Sequence, residues 1–321
     1  MITKWKMFHL IIILGINKNN SSQAFIKKNS KIDSMKNSLF KIFKSTRKTL
    51  AGHGLGKYGT VQKTSNWLGK KLHPSYIVYD GHKFFLDKHD SIHYSYSDEI
   101  EDYSEYVSLI IEKACQKNSI VIDVGANIGW YTLQYARYVG SNGKIYAFEP
   151  VKENFQLLKK NISKNGYENI IPINKAVSNE VSTVKMELSD RIGDHRIVNN
   201  VDSTDKTIIE VDCTTLDNSF PHNTKIDFLK IDAEGQDLNV LLGAKRLIDE
   251  NPQIVIFVEF NPFLLRQNNI EPIKLLEFLE SHNFQIHDEE KNPSQQSLVS
   301  ELIKYDDGKS YSLTNLICIR K

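Results

Sequence analysis

From Ser119 onward the sequence alternates short apolar runs with amphipathic stretches at helical spacing, and this alternation constrains the fold more than any other feature. The first run, Ser119-Ile120-Val121-Ile122-Asp123-Val124, is near-continuously apolar, as a strand buried on both faces must be. The pattern predicts strands over 119–124, 144–149 and 170–175, with helices over 130–139 and 152–165 between them. An added antiparallel pair, 181–188 and 207–212, brackets a polar loop. The alternation then resumes with strand 226–231, helix 237–249, strand 253–260, helix 272–282 and strands 284–287 and 313–320. Strands that alternate with helices must run parallel, joined by crossovers. The expectation is an α/β fold: a doubly wound, mostly parallel seven-stranded sheet, Rossmann-like, with an antiparallel last strand. Its ligand belongs beyond the carboxyl ends of the strands.

The segments before this core divide in two. Over 73–118, Tyr76-Ile77-Val78-Tyr79 and Lys83-Phe84-Phe85-Leu86 flank Asp80-Gly81, which signals a hairpin, and Tyr103, Tyr106, Val107, Ile110 and Ala114 predict a helix over 102–115. Both elements are expected to cover the core formed by 119–321. Residues 1–72 form a basic extension: they hold 15 Lys and Arg against one acid, Asp33, leaving 26 basic and 38 acidic residues to the rest. The near-neutral total therefore hides an extension of about +14 and a body of about −12.

Within the extension, the apolar run 7–16 is too short to cross a bilayer, which takes ~20 residues. Its layout is that of a signal peptide, but no small-x-small cleavage site follows. Residues 17–37 are polar and Lys- and Asn-rich, the composition of a disordered segment. Over 36–50, Leu39, Phe40, Ile42, Phe43 and Leu50 interleave with Lys36, Lys41, Lys44, Arg47 and Lys48 as a short basic amphipathic helix, either docked on the domain or resting on anionic lipid. Peripheral contact with an anionic membrane through residues 1–50 is thus an expectation, whereas the acidic body would repel nucleic-acid phosphate. Cys115, Cys213 and Cys318 are widely spaced and odd in number, suggesting neither a disulfide framework nor a structural zinc site. A reducing, cytoplasmic setting fits, with membrane association left open.

The chemistry concentrates at strand ends. Strand 119–124 runs into Gly125 and Gly129, where Gly125 permits a tight turn, Gly129 permits close approach of backbone to a ligand, and the helix that follows aims free N–H groups at a carboxylate. Asp123, or the network around it, is expected to face an ammonium. Glu149 stands 20 residues after Gly129 at the tip of the second strand, where its two oxygens can accept hydrogen bonds from both hydroxyls of a ribose. Together these positions predict a nucleoside cofactor. The G-x-G-x-x-G fingerprint of a dinucleotide site is missing, because Ala126-Asn127-Ile128-Gly129 follows Gly125. S-adenosyl-L-methionine, which has no phosphate to cradle, fits instead.

Ile122-Asp123-Val124-Gly125-Ala126-Asn127-Ile128-Gly129-Trp130-Tyr131-Thr132 resembles the cofactor motif of the FkbM family of methyltransferases. Thr215-Leu216-Asp217, Ile226-Asp227-Phe228-Leu229-Lys230-Ile231-Asp232-Ala233-Glu234-Gly235 and Val240-Leu241-Leu242-Gly243-Ala244 resemble that family's signature. The similarity runs from about Tyr76 to Lys321 and includes Lys175-Ala176-Val177-Ser178 and Thr314-Asn315-Leu316. It implies a class I methyltransferase fold, an S-adenosylmethionine site that includes Asn127 and Ala176, and O-methylation of a saccharide, glycan or related small molecule. The chain departs from the family pattern at Gln236-Asp237, where a small residue and Glu are usual, which puts a local helix-start contact in doubt. A non-catalytic binding protein on the same fold and a nucleic-acid methyltransferase are the alternatives, the latter weakened by the acidic body.

Methyl transfer to a hydroxyl needs alignment, exclusion of water and a base. The candidates are Lys230, Asp232, Glu234 and Glu259, at the ends of the fourth and fifth strands. Phe228, Lys230 and Asp232 share one face of their strand, so Lys230 can pair with Asp232 or with Asp123 next door, either to order the strand ends or to act directly. Asp232 is the first choice for the base. Glu234 can alternatively cap the next helix, Glu259 can hold the acceptor or solvate a strand end, and His195 reads more readily as a loop histidine than as a base. No His, Asp and Glu grouping at metal spacing points to a catalytic cation.

Overall fold

In the computed structural model the chain divides into two units, residues 1–75 and 76–321. The structure describes residues 59–72, 75–86, 114–189, 195–197, 207–289, 296–306 and 312–320, together with Glu112 and scattered positions between 38 and 49. The apolar run 7–16, much of the amphipathic segment 36–50 and nearly all of the helix expected over 102–115 fall outside the described residues. In the first unit, helix α1 (Gly59–Leu72) turns Leu68, Gly69 and Leu72 inward and leaves Lys63, Trp67 and Lys71 exposed.

The second unit begins with the expected hairpin, β1 (Tyr76–Tyr79) and β2 (His82–Phe85). Tyr79 stands opposite His82, and Asp80 and Gly81 both take positive φ, which matches the twist of a two-residue turn. Its docking is polar as well as apolar. From helix α3 (Lys152–Asn165), Asn165 accepts from Lys83 N and donates to Lys83 O, and Asn161 does the same for Phe85. Two residues of strand and four residues of helix have similar rise, so one helix face satisfies a sheet edge that would otherwise stay open.

The main sheet contains β3 (Ile120–Val124), β4 (Lys144–Phe148), β5 (Ile170–Ile173), β10 (Phe228–Ile231), β11 (Val255–Phe260), β12 (Phe284–Asp288) and β13 (Thr314–Arg320). Their spatial order is β12-β13-β11-β10-β3-β4-β5, with β13 antiparallel to both neighbours and the other adjacent pairs parallel. This is the doubly wound sheet with an antiparallel last strand that the alternation predicts. The winding reverses between β3 and β10, so a crevice opens at their carboxyl ends. Ile122, Leu229, Ile256 and Leu316 pack on one face of the sheet, and Val121, Phe228, Phe257 and Ile317 on the other, where helix α2 (Trp130–Val139) contributes Leu133 and Tyr135.

Two expectations are corrected. Strand 170–175 stops at Ile173, and Ala176–Val177 forms β6 of a second, four-stranded sheet of order β6-β9-β7-β8, built on the expected pair β7 (Ser182–Leu188) and β9 (Thr207–Thr214) with the short β8 (Arg196–Ile197). Helix 237–249 is two helices, α5 (Asp237–Leu242) and α6 (Lys245–Glu250), which follow the short α4 (Leu216–Ser219). The break has a packing cause: a Cβ on Gly243 would lie 2.1 Å from Ser178 O, so backbone meets backbone there. Asp217 fills the gap by accepting from Arg246 N and Leu247 N, while Thr215 caps α4. The Thr215-Leu216-Asp217 and Val240–Ala244 motifs are thus joints of the scaffold.

Candidate active site

A cleft of about 340 Å³ opens at the carboxyl ends of β3, β4, β10 and β11, bounded on one side by Ala176 and Ile197 of the second sheet. That volume falls within the range of small-molecule sites, roughly 300–1,000 Å³. Among the described residues, four carboxylates line it, Glu149, Asp232, Glu234 and Glu259, against one ammonium, Lys175. Val124, Phe148, Val151, Ala176 and Met186 supply apolar wall.

Glu149 is almost fully buried, and the turn after β3 holds it. Its Oε2 accepts from Asn127 N at 2.9 Å and its Oε1 from Val151 N at 2.9 Å. Asn127 takes φ 50°, which swings its N–H toward the carboxylate. Asn174 donates to Glu149 O and Pro150 O, fixing the peptide behind the side chain. Burial pushes the Glu149 carboxyl up to about 7, against the pull of its two backbone donors. Asn154 also hydrogen-bonds to the carboxylate, which still has acceptor capacity for a ligand hydroxyl.

Gly125 makes the expected tight turn and has a second task besides, whereas Gly129 has a different task from the one expected. A Cβ on Gly125 would sit 1.9 Å from Asp232 O, so this glycine, at φ 75°, lets β3 and β10 converge. Gly129 is set back from the cleft: its close neighbour is Leu158 Cδ1, 2.8 Å from where a Cβ would stand, so its bare backbone accommodates α3.

Lys230 and Asp123 are register partners on β10 and β3. The Lys230 ammonium lies 3.4 Å from Asp123 Oδ1, 3.2 Å from Asp232 Oδ2 and 3.1 Å from Gly125 O. It also sits 5.1 Å from the centroid of the Tyr131 ring. Thr132 Oγ1 donates to the other Asp123 oxygen at 2.5 Å. Asp123 and Lys230 are sealed from solvent, whereas the Asp232 side chain is 38% exposed on the cleft. Of the two options expected for a ligand ammonium, Asp123 or its network, Asp123 itself faces Lys230, and Asp232 is the member of the network that reaches the cleft. Because Phe257 is the register partner of Lys230 on the other side, alternation places Glu259 on the same sheet face as Lys230 and Asp232.

The loop after Asp232 is shaped by a residue that pattern reading underrates. Asp237, fully buried, accepts from Ala233 N at 2.9 Å and Gly235 N at 3.1 Å and so pins the loop that leads into α5, whose N-terminus has no side-chain cap from Glu234 or any other residue. Burial, reinforced by the nearby Asp232, raises its pKa. Glu234 lines the cleft and adopts φ 50°. Gly235 packs against Leu264 O of α7 (Pro262–Gln267), and Gln236 donates to Asn268. The departure at Gln236-Asp237 is thus a complete alternative clasp. A lone acid two residues past a glycine carries no spacing signal, which is why only the structure reveals it.

Asn127, Gly125, Glu149, Ala176, Asp232, Glu234 and Glu259 all meet at the cleft, while Asp123, Lys230 and Gly129 support it from behind. His195 also lines the cleft, its Nδ1 accepting from Ser189 N at 3.0 Å. Among the described residues no group of three or more His, Cys, Asp or Glu is arranged to hold a metal ion.

The methyltransferase FkbM domain family model matches residues 123–286. Among solved structures, the chain is similar to methyltransferase FkbM from Methylobacillus flagellatus KT, with 17% identity, 63% of this chain and 43% of that chain covered, and a TM-score of 0.39. It is similar to M. jannaschii TYW2 in complex with AdoMet, with 15% identity, coverage of 77% and 86%, and a TM-score of 0.36. A SAM-dependent methyltransferase from Aquifex aeolicus shows 14% identity, coverage of 70% and 97%, and a TM-score of 0.37. The chain thus spans less than half the length of the Methylobacillus protein. No curated protein matches it in sequence.

Proposed function

Since the chain belongs to the methyltransferase FkbM domain family, we propose that it is an S-adenosylmethionine-dependent O-methyltransferase whose acceptor is a hydroxyl of a saccharide, glycan or related small molecule. The observation that carries this reading is the cleft itself: a backbone-cradled carboxylate, Glu149, stands at one end and an exposed carboxylate anchored to a buried lysine, Asp232, at the other.

The residues present fit the cofactor. Four carboxylates would repel a pyrophosphate but suit a ligand with positive sulfur and an ammonium, and the apolar wall from Val151 to Ala176 suits a purine. Glu149 would accept from the ribose hydroxyls, and Asn127 and Gly125 would border the amino-acid end. When bound, the cofactor supplies a methyl group on a sulfonium, and its transfer to an acceptor oxygen leaves a neutral thioether.

The chain's own residues align that oxygen and take its proton. Asp232 accepts the hydroxyl proton as the new C–O bond forms. Lys230 is a positioning residue: it holds Asp232 Oδ2 and has no exposed surface with which to touch an acceptor. Glu234 and Glu259 orient further hydroxyls of the acceptor. Asp232→Asn tests this assignment: cofactor affinity measured by calorimetry stays within about threefold, while methyl transfer from labelled cofactor falls at least ~100-fold. Full turnover in that variant would remove Asp232 from the reaction.

A further inference from the structure

Helix α1 (Gly59–Leu72) presents a face that its own unit leaves uncovered. Lys63, Trp67 and Lys71 follow one another at four-residue spacing, so they form a single stripe along the helix, and all three are exposed. Trp67 is 58% exposed, although burying an indole is among the larger gains open to a side chain. Leu68, Gly69 and Leu72 already provide the inward face, so packing does not account for an outward tryptophan between two lysines. The helix has 14 residues, too few to cross a bilayer at ~1.5 Å per residue. No described helix is long and apolar enough to do so.

We propose that this stripe is a docking surface for the headgroup layer of an anionic lipid bilayer, with α1 lying in the plane of the interface. The charge argues for that partner: residues 1–72 carry 15 basic residues and one acid, and the sequence of α1 has three lysines and no acid. Indole partitions to the boundary between headgroups and acyl chains, where the ring is buried and its N–H stays wet. Lysine stems reach outward along the same face and place their ammonium groups among lipid phosphates. The proposal moves the center of the contact from residues 1–50 to a defined helix face, and it does not depend on the methyltransferase reading.

The test is vesicle co-sedimentation of the full chain. Phosphatidylcholine vesicles containing phosphatidylserine are compared with phosphatidylcholine alone, using the parent, Trp67→Ala and Lys63→Gln/Lys71→Gln. The account expects the parent to bind the anionic vesicles selectively and to release as salt rises. It expects Trp67→Ala to weaken partition about tenfold, and each lysine removed to weaken it about fivefold. Circular dichroism and cofactor binding of the variants should match the parent. Equal partition of parent and Trp67→Ala, equal binding to neutral and anionic vesicles, or capture by an RNA oligonucleotide without vesicle binding would each overturn the proposal.

Discussion

The Lys230 ammonium stands 3.4 Å from the Asp123 carboxylate, across the register pair that joins β10 to β3, and both side chains are closed to solvent. A buried charge without its partner is far costlier than either a complete pair or no charge at all. Lys230→Met therefore destabilises the protein by about 3–5 kcal/mol, because Asp123 is left with the Thr132 hydroxyl alone. Lys230→Met/Asp123→Asn recovers more than half of that loss. Urea unfolding of the two single variants and the double variant checks the cycle, and additive losses would contradict the pairing.

Glu149 gives the protein a pH dependence of definite sign. Burial raises its carboxyl from the ordinary 4.5 to about 7, so between those values the folded state holds a proton that the unfolded state has released. The folded state is thus favored at low pH, and stability falls as pH rises from about 4.5 to 7, by up to about 3 kcal/mol. Asp237, raised in the same direction, adds to the slope. Thermal unfolding at pH 5 and pH 8 should show a smaller difference for Glu149→Gln than for the parent, and an unchanged difference would contradict the burial cause.

Asp237→Ala leaves Ala233 N and Gly235 N without their acceptor. Each buried orphan costs about 1–3 kcal/mol, and the loop that carries Glu234 loses its shape. The expected outcome is a lower melting temperature together with a loss of methyl transfer larger than the loss of cofactor affinity.

Glycines at positive φ separate two causes of strain. Gly140, at φ 67° and ψ −177°, has open space where a Cβ would stand, so Gly140→Ala costs only the backbone penalty of about 1–3 kcal/mol. Gly125→Ala adds a collision with Asp232 O and forces β3 and β10 apart at the cleft. Its loss of stability should exceed that of Gly140→Ala by at least ~2 kcal/mol in denaturant titrations, and cofactor binding should vanish with it.

The sheet and the position of the cleft are legible in the sequence, because strand-helix alternation and glycines after an apolar run are local signals with a period. Asp232, Glu234 and Glu259 are legible for the same reason: residues at strand ends on one face converge wherever the strands are neighbours. What stays hidden depends on contacts between distant segments. Nothing local announces that Asn161 and Asn165 will dress the edge of β2, or that Asn174 will pin the Glu149 peptide. The break at Gly243 is invisible until Ser178 arrives against it, and the sequence offers Lys230 either Asp232 or Asp123, whereas the folded chain brings its ammonium to both.

The central claim is that the cleft binds S-adenosylmethionine through Glu149, and isothermal titration of the full chain with S-adenosylmethionine tests it most directly. The account predicts saturable binding at one site per chain, weakened about 10–100-fold in Glu149→Gln, which loses the charge on its ribose-facing acceptor while circular dichroism shows the fold intact. No heat of binding to the parent, or equal affinity in parent and Glu149→Gln, would contradict it.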